Sequence, residues 1–193
     1  MSALTVLIIR HAEKTGEESP GPGLTSDGQQ DRKSLVVRGW QRAGAWAALF
    51  GTGLGDEYLK PTVIYAAKPN AEAGALDIEP SQRPYETIKP LADRLQLVPQ
   101  TEWAPGNETE LVAAATSLTG VILICWEHKM IVRALLPALL NGQVVPRVPS
   151  KWDGSRYDIV LRFDRVLDRP SWSFRQLFPR LLAGDSDLPM PVS

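Results

Sequence analysis

Short apolar runs rich in β-branched residues predict the strands of this 193-residue chain. Three runs are almost uninterrupted, as in strands that are covered on both faces of a sheet, at residues 4–9, 62–66 and 121–126. Residues 156–163 alternate between apolar and polar side chains, which predicts a strand with one wetter face. Residues 172–178 are predicted as a further strand.

Between these runs, apolar residues recur at the spacing of amphipathic helices. One helix is predicted from Val37 to about Gly51. Another is predicted between Ser81, which can cap it, and Leu95, and Pro90 is expected to kink or divide it. The remaining helices are predicted over residues 108–118 and 130–140.

Strands that alternate with helices predict an α/β protein. We expect a three-layer sandwich, with helices on both faces of a largely parallel central sheet, formed by a single domain over residues 1–193. In such sheets ligands bind beyond the carboxyl ends of the strands. The residues that follow the strands are therefore the first place to look for chemistry.

The composition of the chain limits the classes of molecule that it is expected to bind. The formal net charge is -1 and 22% of the residues are charged, so no overall positive field favours nucleic acid or a membrane surface. Cys125 is the only cysteine, which excludes an internal disulfide and fits a reducing compartment. The first apolar run is too short for a signal peptide core, and no stretch is long enough to cross a bilayer. A cytoplasmic location is expected.

The chain has two histidines, and both follow predicted buried strands. His11 comes after the run at residues 4–9, and His128 comes after the run at residues 121–126. Because parallel strands end at the same edge of a sheet, we expect both imidazoles to project into one pocket.

Four segments around these positions resemble motifs of the histidine phosphatase superfamily, in its phosphoglycerate mutase-like branch. They are RHAEK at residues 10–14, with alanine where the family has glycine, LVVRGWQRA at 35–43, SQRPYET at 81–87 and WEH at 126–128. The four matches come in the family's order and span residues 4 to about 140.

The resemblance implies that His11 is the nucleophile toward a phosphoryl group, whose oxygens Arg10, Arg83 and His128 bind. Elementary chemistry agrees with these roles. A neutral imidazole can attack phosphorus near pH 7 because its pKa is about 6.5. The guanidinium groups offer planar pairs of donors that keep their charge.

Three glutamates are candidates for the remaining roles. Glu108 lies close to where the family often places its general acid and is the preferred acid. Glu127 and Glu13, each next to a motif residue, are candidate substrate-binding residues. Glu127 and His128 would point to opposite faces if the strand continued that far.

We therefore expect a metal-independent phosphatase that needs no cofactor and acts on a small phosphorylated substrate. A mutase would return the phosphoryl group to its substrate, but no segment resembles the extended lid of the phosphoglycerate mutases. A low-turnover module that binds phospho-ligands is a further alternative. So is a divalent-metal hydrolase that uses both histidines and two glutamates as ligands, although paired arginines would repel the ion.

The irregular loops at residues 16–33 and 68–79 are expected to set specificity. Their composition identifies no particular substrate, and the sequence leaves the oligomeric state open.

Overall fold

The computed structural model describes residues 3–69, 81–166 and 171–192, which form a five-stranded sheet with helices on both faces. The strands are β1 (Ala3–Arg10), β2 (Val63–Ala66), β3 (Gly120–Trp126), β4 (Val160–Val166) and β5 (Ser173–Leu177). Their order across the sheet is β2-β3-β1-β4-β5. Only β4 runs against the others, because it pairs antiparallel with both β1 and β5.

Two layers of helices cover the sheet. On one face lie α1 (Val37–Thr52) and α2 (Arg83–Leu95). On the other face lie α3 (Glu108–Thr116) and a segmented helix made of α4 (His128–Met130), a π-helical turn (Ile131–Leu135) and α5 (Leu136–Leu140). The predicted three-layer α/β fold with a largely parallel sheet is thereby confirmed.

Alternation along β1 explains why the sheet needs both layers. Val6 and Ile8 pack into the core on the α3 and α5 side, whereas Leu7 and Ile9 pack into the core under α1 and α2. All four side chains are fully buried. A strand that is apolar on both faces is stable only in the middle of such a sandwich.

Pro90 is expected from the sequence to kink or divide its helix. It does not divide the helix, because α2 continues from Arg83 to Leu95 with Pro90 inside. The proline removes one backbone donor. The buried neighbours Ile88 and Leu91 pack against the sheet on both sides of it and offset that loss.

The strand predicted at residues 156–163 begins later, at Val160. Arg156 and Asp158 form an ion pair with each other, with an Nε to Oδ1 distance of 2.7 Å. Both also bind the backbone of the segment near Ser186. These polar contacts compete with strand pairing and keep residues 156–159 in a loop.

No helix within the described ranges is long and apolar enough to cross a membrane.

Candidate active site

The two histidines meet at the carboxyl edge of the sheet. β1 and β3 are neighbouring parallel strands, and Arg10 at the end of β1 pairs with Trp126 at the end of β3. The backbone N–H of His11 continues the pairing by donating to the Trp126 carbonyl, at 3.1 Å. The rings of His11 and His128 lie with their centroids 6.4 Å apart, edge to face.

The imidazole of His11 is buried and held in one tautomer. Its Nδ1 lies 2.7 Å from the Ala12 carbonyl oxygen, and because a carbonyl only accepts, Nδ1 must donate. Burial, and then the positive charge of Arg10, lower the pKa of His11 well below its usual value. The Nε2 atom therefore carries a lone pair.

Arg10 is 1% exposed and lies beside His11. Its Nη1 donates to the carbonyl oxygens of Gly154, at 2.7 Å, and Arg156, at 3.1 Å. Its Nε and Nη2 atoms are buried and have no hydrogen-bond partner among the residues that the structure describes. Unpartnered buried donors are rare in folded proteins and indicate an acceptor that arrives as a ligand.

Arg83 is the first residue of α2, and it is near enough for its positive charge to contribute to lowering the pKa of His11. Its Nε donates to the Ser34 carbonyl at 3.2 Å, and its Nη2 contacts the Arg32 carbonyl. Ser81 accepts a hydrogen bond from the backbone N–H of Arg83, which fixes the start of the helix. The structure thus places the charges of both predicted arginines close enough to affect His11.

Glu127 contacts His128 directly, with its Oε1 atom 2.7 Å from Nδ1 of the imidazole. Its other carboxylate oxygen accepts from the backbone N–H of Met130 and caps α4. Burial alone would raise the pKa of Glu127, but the contact with His128 and the backbone donors outweigh it and lower the pKa. Glu127 is therefore ionised and supports His128.

Glu108 is 2% exposed at the start of α3. Its carboxylate accepts from the backbone N–H of Gly106, at 3.0 and 3.1 Å, and from the indole N–H of Trp126, at 2.8 Å. Trp126 is also the strand partner of Arg10, so the carboxylate is held by a residue at the same sheet edge as the histidines.

Glu13 points into a neighbouring group of charged side chains. Its carboxylate receives three hydrogen bonds from Arg42 and lies 3.3 Å from the guanidinium of Arg38. Arg42 also binds both carboxylate oxygens of Asp185. These residues border a polar cavity of about 400 Å³, which Tyr157 also lines.

The loop that carries His11 is fixed from two sides. Ala12 donates its backbone N–H to the Thr87 hydroxyl at 2.8 Å, which ties the loop to α2. Helix α1 approaches so closely that a Cβ atom placed on Gly39 would lie 2.6 Å from the Glu13 carbonyl oxygen. The third residue of α1 must therefore lack a side chain.

Two residues at the site were not predicted for it. The Tyr157 ring lies 6.1 Å from the His11 ring, and the Arg10 guanidinium stacks over it at 3.7 Å from the centroid. Lys14 is a largely exposed residue whose pKa is lowered by partial burial and by nearby positive charges, those of Arg83 and Arg10 first among them. It therefore lies beside the cationic cluster. The motif at residues 10–14 includes Lys14, but no sequence signal indicates Tyr157.

Among the residues described, no three His, Cys, Asp or Glu side chains are grouped so that they could hold a metal ion. The predicted specificity loop at 16–33 forms no helix and only isolated bridges, such as that between Leu24 and Gln30. Most of the other predicted loop, at 68–79, lies outside the described residues.

Solved structures with a similar fold include two mycobacterial proteins. One is the mycobacterial glucosyl-3-phosphoglycerate phosphatase, at 16% identity and a TM-score of 0.51, with 91% of this chain and 98% of that chain covered. The other is described as mycobacterial hydrolase 2, at 14% identity and a TM-score of 0.50, with 100% and 94% covered. No family model and no curated protein matches the sequence. At these identities the likeness establishes the fold.

Proposed function

We propose that this protein is a phosphatase of the histidine phosphatase type, which hydrolyses a small phosphomonoester through a phosphohistidine at His11. The observation that carries the proposal is the buried His11 imidazole, whose Nδ1 donates to the Ala12 carbonyl beside the unpartnered donors of Arg10. A neutral nucleophile next to unsatisfied cationic donors suits a phosphoryl group. The phosphatase and hydrolase among the fold neighbours agree with this class.

In the first step, the Nε2 lone pair of His11 attacks phosphorus and forms a P–N bond as the bond to the leaving oxygen breaks. Arg10, Arg83 and His128 bind the non-bridging oxygens, whose charge must be stabilised throughout. The leaving oxygen takes a proton from a general acid and departs as an alcohol. The general acid, now a carboxylate, then takes a proton from a water molecule that attacks phosphorus. The P–N bond breaks, inorganic phosphate is released, and both neutral His11 and the protonated acid are restored.

We assign the general acid to Glu108. The indole N–H of Trp126 donates to its carboxylate at 2.8 Å and holds it near the strand ends. Glu127 suits the role less well because its pKa is lowered by its contact with His128. Glu127 instead holds the His128 ring through the contact of its Oε1 atom with Nδ1, and Glu13 acts through Arg42 on the loop that follows His11.

The decisive experiment traps the intermediate. The chain has only two histidines, so a label from a ³²P-phosphomonoester that an alkaline digest recovers as phosphohistidine must lie on His11 or His128. Wild type and His128→Ala should be labelled, and His11→Ala should not. Hydrolysis of an aryl phosphate by His11→Ala should fall by at least about a thousandfold.

Equal hydrolysis rates for wild type and His11→Ala would refute the nucleophile assignment. His128→Ala is the matched control, because it removes the other imidazole and leaves the nucleophile in place. If its label accumulates and decays slowly, His128 acts on the phosphoryl oxygens as proposed.

A further inference from the structure

Three residues of one loop hold the Arg10 guanidinium in place. Both hydrogens of Nη1 are used by the carbonyl oxygens of Gly154 and Arg156, and the Tyr157 ring covers one face at 3.7 Å. What is left is the edge formed by Nε and Nη2, which has no partner within the described residues. This edge presents two parallel N–H donors, the arrangement that binds two oxygens of one anion.

We propose that Tyr157 is a positioning residue for the phosphoryl site, and that its ring face orients Arg10 so that the Nε and Nη2 edge meets two phosphoryl oxygens. The inference rests on the proposed function. Without the ring, the guanidinium could pivot on the two hydrogen bonds that Nη1 donates. The Nε and Nη2 edge would then lose its alignment with the reacting group. The 6.1 Å separation of the Tyr157 and His11 rings keeps this clamp next to the nucleophile.

The contact to which we assign this role is the stacking of the Arg10 guanidinium on the Tyr157 ring face, at 3.7 Å from the ring centroid. A guanidinium is attracted to any aromatic face, so phenylalanine should preserve the function and an aliphatic side chain should not. This difference separates positioning of Arg10 from catalysis by the Tyr157 hydroxyl.

The test measures the binding of inorganic phosphate and orthovanadate by calorimetry, together with kcat and KM for an aryl phosphate. Tyr157→Leu should weaken binding of both anions by about tenfold or more, the effect expected for a desolvated cation and ring contact. Tyr157→Phe should stay within about twofold of wild type. In an Arg10→Lys background, Tyr157→Leu should add little further loss, because the ring acts through Arg10.

Tyr58→Leu is the matched control, because it makes the same change at another partly buried tyrosine. Tyr58 packs on Phe50 near the C-terminal end of α1. This substitution should lower the melting temperature without altering phosphate binding. Should Tyr157→Leu not fold, Tyr157→Met is measured by the same criteria.

The inference is overturned if Tyr157→Leu binds phosphate as wild type does, or if Tyr157→Phe loses as much as Tyr157→Leu. Wild-type protein that neither binds phosphate nor hydrolyses the aryl ester would overturn the proposed function itself. Wild type that does both while Tyr157→Leu is unchanged would overturn only the role of Tyr157.

Discussion

Replacing Gly39 by alanine tests whether the contact between α1 and the His11 loop sets the geometry of the site. The added Cβ would lie 2.6 Å from the Glu13 carbonyl oxygen, 3.1 Å from the Leu35 Cβ and 3.2 Å from the Glu13 nitrogen. The nearest atom belongs to the backbone, so no flexible side chain can turn away. Reaching ordinary contact requires the helix and the loop to separate by about 0.8 Å.

The magnitude follows from two opposing effects. Overpacking of this kind costs about 1–3 kcal/mol, and the better helix propensity of alanine returns up to about 1 kcal/mol. With the full return subtracted, the free energy of unfolding should fall by up to about 2 kcal/mol. Because Glu13 is two residues from His11, a displacement approaching 1 Å should reduce kcat/KM by at least about tenfold.

Gly44→Ala is the matched control in the same helix, because its Cβ would meet nothing within 4 Å. It should raise stability by about 0.5–1 kcal/mol and leave kcat/KM within about twofold of wild type. Urea unfolding and aryl phosphate hydrolysis measure both quantities. A Gly39→Ala protein as stable and as active as Gly44→Ala would show that the contact does not position the nucleophile.

Three further predictions concern charged groups. Because burial and Arg10 lower the pKa of His11, ¹⁵N NMR of the free protein should show a neutral His11 at about pH 5.5, and a titration midpoint near 6.5 would contradict this. Glu108→Gln should reduce kcat by about 10²- to 10³-fold for an alkyl phosphate but far less for an aryl phosphate, whose leaving group needs no acid. Equal losses on both substrates would argue against Glu108 as the acid. Glu13→Gln should cost about 3 kcal/mol of stability with little change in KM, because it breaks a buried pair with Arg42, and the opposite pattern would indicate substrate contact.

The main features of the fold could be predicted because they depend on local patterns. An apolar run such as residues 4–9 can be stable only inside a sheet covered on both faces, and this places His11 at a strand exit. The same holds for residues 121–126 and His128. Since both strands are parallel neighbours, the meeting of the two rings follows from the topology.

Contacts between distant segments could not be predicted in this way. In the sequence, Arg42 has the position of a solvated helix residue, and Tyr157 has the position of an inward-facing strand residue. Neither position indicates a role at the site. Arg42 is instead buried between Glu13 and Asp185, the latter 143 residues further along the chain. Tyr157 leaves the strand because its neighbours Arg156 and Asp158 pair with each other. Only the tertiary fold determines these partners.

The Arg42 contact with Asp185 also has a consequence for synthesis of the protein. All five strands have been translated before residue 185 leaves the ribosome, yet the support for Glu13 near the start of the chain is completed only then. Until Asp185 is in place, the Arg42 guanidinium lacks one of its two carboxylates. Full support of the nucleophile's loop therefore depends on a contact between residues 143 positions apart, the kind of non-local contact that is slow to form.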